Sequence, residues 1–190
     1  MLRPSYLLVL LSILVVVNGN RLIQKKSLNS GHPAHGSRGC GKNTDLVLGV
    51  GHVLTIKVKD ANFDFDRTYQ VQLPLNYDIN TPSEVLFYFH GQNGTWPWTG
   101  WDTMGNLNNF ITVQPLGLSE NIGVKAWQTG LADKDMHFAN STCYPSTQGT
   151  CYDTCDKINM CSPCAWSTCA DDGLFIQKLV HRIKHEFCID

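Results

Sequence analysis

Charge is scarce in this chain. Lys, Arg, Asp and Glu make up 16% of its 190 residues, against about 25% in an ordinary globular domain. The formal net charge is −1. With no basic surplus to neutralise phosphates, a nucleic-acid-binding function is excluded as the main reading. Internal repeats are also missing, which excludes solenoid and propeller arrays. Beyond Val17 no apolar run reaches membrane-spanning length. What is present is a 43% apolar share, enough to rule out disorder and to build one packed core. Eight cysteines and five tryptophans accompany it.

The N-terminus sets the compartment. Arg3 carries a positive charge, and Leu7 to Val17 is apolar except for Ser12. As a helix this run rises about 16 Å, too short for a hydrocarbon core of about 30 Å. Small polar residues follow at Asn18-Gly19-Asn20. Residues 1–20 therefore read as a cleaved secretory signal, with a mature chain of about 170 residues from Arg21. After cleavage no membrane partner is expected. A secreted chain meets oxidising conditions, so Cys40, Cys143, Cys151, Cys155, Cys161, Cys164, Cys169 and Cys188 are disulfide candidates. The C-x-x-C within this set resembles a zinc knuckle, and the compartment favours disulfides over metal. One pair is excluded. Cys169 and Cys188 bracket a helix of about 15 residues rising about 22 Å, whereas bridged Cα atoms lie within about 7 Å. Asn93-Gly94-Thr95 and Asn140-Ser141-Thr142 are glycosylation sequons at Asn93 and Asn140.

Residues 21–45 read as a flexible leader tied down at Cys40. Val53–Val58 and Tyr69–Leu73 alternate as two strands joined by a loop at Asp60–Asp66. The loop's D-x-N-x-D spacing imitates a calcium loop, but Phe65 and Val71 stand where Gly and Glu are required. Val85–Phe89 and Phe110–Val113 are apolar on both faces, as buried strands are. With a short helix over Trp101–Asn109 between them, they predict a parallel pair in an α/β sheet. Residues 119–170 lack periodicity. Phe175, Ile176, Leu179, Val180, Ile183 and Phe187 then form one helical stripe. Asp171 and Asp172 sit at its start as cap and dipole partners, an explanation preferred to a catalytic carboxylate pair. His181 and His185 share one face of this helix, without the glutamate that a zinc-protease motif places between them.

Six segments in order carry a family resemblance: SRGCGK, RTYQVQLPLNYD, VLFYFHGQNG, NFITVQPLGL, VKAWQTG and CAWSTCADDGLFIQKLVHRIKHEFCID. From about residue 38 to 190 the chain resembles the secreted esterases that include polyhydroxybutyrate depolymerases and feruloyl esterases. The cysteine-rich insert spans about 139–170, and its part at 139–164 matches least. The resemblance implies an α/β-hydrolase fold for 46–190 and extracellular hydrolysis of carboxylic esters, of plant cell-wall or polyester origin. It implies a Ser-His-Asp triad and no cofactor or metal. His90-Gly91-Gln92 would be the oxyanion loop, its main-chain N–H groups facing a tetrahedral intermediate. Trp96, Trp98 and Trp101 would line an aromatic cleft for substrate, with packing against a glycan at Asn93 or core filling as equal alternatives.

The nucleophile elbow G-x-S-x-G is absent. In the family a strand and then this elbow follow a pattern like the terminal FCID. The expectation is therefore an N-terminal portion of the hydrolase sheet that lacks its triad, is itself inactive and does not form a stable monomer. It would leave Val85–Phe89 as an open apolar edge. A secreted, disulfide-rich binding module without chemistry, for carbohydrate, is the alternative.

Overall fold

The computed structural model describes residues 36–128, 151–159 and 167–190, together with the backbone of Leu14–Val16. The strands are β1 (Leu14–Val16), β2 (His52–Lys59), β3 (Asp64–Gln72), β4 (Val85–Tyr88) and β5 (Ile111–Pro115). The helices are α1 (Thr99–Asn108), the single turn α2 (Asp153–Asp156) and α3 (Asp172–Glu186). The sheet is mixed, in the order β1-β4-β5-β3-β2. β2 and β3 form an antiparallel hairpin, β3 pairs antiparallel with β5, and β4 pairs parallel with β5. The expected parallel pair with its crossover helix is present, its ends shifted by one or two residues. β3 starts five residues before the expected Tyr69: Asp64, Phe65 and Asp66, read as loop, continue the ladder opposite Lys59, Val58 and Lys57.

The Asp60 loop is closed by its own carboxylate. Asp60 Oδ1 accepts from the backbone N–H groups of Asn62 and Phe63, and Oδ2 accepts from Asp171 N–H. Burial works to raise the Asp60 pKa, and these three donors outweigh it and hold the carboxyl below its ordinary value.

The two faces of the sheet differ in chemistry. One carries Tyr69, Val71, Val85, Phe87, Ile111 and Val113, packed with Phe175, Leu179, Ile183 and Phe187 of the α3 stripe. Each such side chain contributes roughly 1.5–3 kcal/mol of burial. Asp171 caps α3 by accepting from Leu174 N–H at 2.7 Å. The other face, under α1, is polar. Asp102 Oδ2 accepts from Gln70 Nε2 at 2.8 Å, Oδ1 accepts from Gln114 Nε2 at 2.9 Å, and Gln72 Nε2 donates to the Asp102 carbonyl. Burial raises the Asp102 pKa, and its amide and hydroxyl donors oppose that rise.

The outer edge of β4 is not open as expected. β1 pairs antiparallel with it, from Leu14 opposite Tyr88 to Val16 opposite Leu86. This strand lies within the segment read as a secretory signal. Beyond α3, Ile189 forms a parallel bridge with Ser83 just before β4. Leu14–Val16 thus supply backbone partners where the family resemblance predicts an unpaired strand.

Two disulfides are described, Cys40–Cys188 and Cys155–Cys169. Cys151 is disulfide-bonded as well. Neither described pair joins Cys169 to Cys188, in keeping with the helix-length argument. Cys143, Cys161 and Cys164 lie outside the described residues, as do Asn140, leader residues 21–35 and most of the cysteine-rich insert. The leader's end is anchored at Cys40, and Ser37 Oγ donates to Phe187 O while accepting from Ile189 N–H. No helix among the described residues is long and apolar enough to cross a membrane.

Candidate functional site

The parallel strands β4 and β5 end side by side, and the crevice beyond the carboxyl ends of parallel strands is where α/β sheets hold ligands. His90-Gly91-Gln92 leaves β4 there, and Leu116-Gly117 leaves β5. His90 is buried and joins the two loops. Gly117 N–H donates to His90 Nε2 at 3.0 Å, so that nitrogen carries the lone pair. The proton is then on Nδ1, which donates to Gly91 O at 2.8 Å. Burial depresses the His90 pKa below its ordinary value, and the Gly91 bond opposes this. With both nitrogens occupied, the ring is a neutral strut rather than a general base.

The strut shapes the loop. Gly91 O accepts from His90 Nδ1 and also from Gly94 N–H at 2.9 Å. In a planar trans peptide the next N–H points opposite to the carbonyl. The Gln92 N–H is therefore turned away from the turn's interior. Among the described residues, a Cβ placed on Gly91 would meet no atom within 4 Å. Asn93 is exposed, and its N–H donates to Lys125 O, pinning the loop's far end.

Three supports were not singled out by residue in the sequence. Trp127 Nε1 donates to His90 O at 2.9 Å, and its ring packs on His90 and Phe89. Its segment, VKAWQTG, was legible only as part of the family resemblance. The Gly117 amide is the second support. Next to Trp127, Ala126 anchors a small cluster with Tyr152 and Cys155, which docks part of the cysteine-rich region here.

The three tryptophans do not line one cleft as equals. Trp101 is only 8% exposed and packs on Tyr88, so it fills core. Trp96 spends its indole N–H on Gln114 O. Trp98 is 41% exposed, with Trp101 stacked behind it at 5.8 Å between ring centroids. Gln114 clamps its backbone, its Oε1 accepting from Trp98 N–H and its Nε2 donating to Trp98 O. The remaining described histidines sit elsewhere. His52 bonds Val47 O, His185 meets Lys42, and His181 stacks on His185 along α3.

No protein-family model matches the chain, and no curated protein matches it.

Proposed function

We propose that the chain belongs to a lineage of secreted carboxylic ester hydrolases, with His90-Gly91-Gln92 as its oxyanion loop. The observation that carries this reading is the Gly91 carbonyl, drawn inward by two donors, at a glycine whose Cβ position meets no atom among the described residues. The sheet order supports it, with β5 crossing over to lie between β3 and β4 as an α/β-hydrolase core requires. The disulfides fit an extracellular setting. Each main-chain donor of this kind is worth about 2.7–4 kcal/mol of transition-state stabilisation in a complete enzyme. These 190 residues contain no G-x-S-x-G, so the hydroxyl that would attack an acyl carbon is not among them.

Two measurements on the intact chain test this reading. In an amide spectrum titrated with phenylphosphonate, a tetrahedral anion, the largest shifts are expected at Gly91 and Gln92. Turnover of a chromogenic acetate ester is expected to stay at the uncatalysed rate. Phosphonate binding that bypasses the loop overturns the oxyanion assignment, and sustained turnover overturns the claim of inactivity. The binding-module alternative is favoured by one feature, the rigidly backed, exposed Trp98 indole, which suits stacking against a sugar ring. Shifts confined to Trp98 on adding cello-oligosaccharides would select it.

A further inference from the structure

Asp171 already supplies the cap of α3, which leaves its neighbour Asp172 without that role. Asp172 is 5% exposed and faces Arg67 of β3, which is 1% exposed, with Asp172 Oδ1 and Arg67 Nη2 2.5 Å apart. Removing two charges from water is costly, and an apolar pair of equal volume would serve stability at least as well. The pair's other contacts show what it holds. Asp172 Oδ2 accepts from Gln128 N–H at 2.5 Å, and Arg67 Nη2 donates to Leu116 O at 3.2 Å. Leu116 precedes Gly117, whose N–H binds His90 Nε2, and Gln128 follows Trp127, whose indole binds His90 O. Both arms that hold His90 are therefore anchored, one residue away, on a single buried ion pair. Phe175 of α3 lies under the guanidinium, 4.2 Å from its central carbon.

We propose that Arg67 and Asp172 are positioning residues for the His90 loop: the pair sets the distance between the two segments that grip His90 and thereby fixes the Gly91–Gln92 peptide. A helix-dipole role for Asp172 explains neither its burial nor its bond to Gln128. This inference gives a purpose to the loop read above as an oxyanion site and rests on that reading. Its test uses no ester or phosphonate, so the two can fail separately.

The experiment is hydrogen exchange and histidine 15N spectroscopy on the full chain. In Asp172→Asn and Arg67→Met, the Trp127 indole N–H and the Gly117 amide are expected to exchange at least about tenfold faster relative to the Leu179–Ile183 amides of α3, as a local opening does. The His90 15N pattern of a single Nδ1–H tautomer is expected to become an average. Asp171→Ala loosens α3 through the cap alone and serves as the control, with no selective change at the loop. Gln128→Pro deletes one arm without touching either charge and reads the same bonds if the charge variants do not fold. Exchange that rises uniformly with global stability, or a His90 tautomer unchanged in every variant, overturns the proposal.

Discussion

His90 shows how one ring sets the chemistry of a loop. Replacing it with Phe keeps bulk but leaves the buried Gly117 N–H without an acceptor, at an expected cost of about 1–3 kcal/mol. A denaturant midpoint shift measures this. The pH dependence has a definite sign. The folded-state pKa lies below the ordinary 6.5, so the unfolded chain takes up the proton first as pH falls. The contribution of His90 is present in full above about pH 6.5 and is lost as pH drops through the folded-state value. The wild type minus His90→Phe stability difference is expected to shrink between pH 7.5 and 5, and a flat difference would show that the ring is not held neutral. From sequence, the His-Gly pair was visible as a turn after a buried strand. Its tautomer was not, because Gly117 and Trp127 reach it from segments 27 and 37 residues away.

Among the elements, α3 was readable and α1 only in outline, for a physical reason. The α3 stripe is apolar and its spacing alone exposes the buried face. On α1 the pattern runs the other way: Met104 and Leu107 point to solvent, while Asp102 and Gly105 face the sheet. Gln70 and Gln72 alternate with the apolar residues of β3, yet they are buried donors to Asp102. Alternation records polarity, and a helix with an inward carboxylate makes polarity a core property. The seat of α1 is tight. A Cβ on Gly105 would stand 2.5 Å from Thr112 Cγ2 and 3.0 Å from Phe110 O. Gly105→Val is expected to cost about 1–3 kcal/mol through overpacking, read as a lowered thermal midpoint. Retention of the wild-type midpoint would mean that α1 is free to lift from the sheet.

Across the whole molecule, long-range closure was the least legible property. Even cysteine numbers in a secreted chain predict disulfides, and helix length excludes one partner for Cys188, but no local rule selects Cys40 across 148 residues. The β1–β4 pairing was equally hidden, since an apolar run gives no sign of which edge it meets. The Cys40–Cys188 bond has a practical corollary. Because it joins both ends of the described polypeptide, a single protease cut in any loop between them releases nothing. Such a nicked sample is expected to migrate at full mass on a denaturing gel until dithiothreitol is added, and only then to fall into two bands. Separate fragments without reductant would show that the ring was never closed.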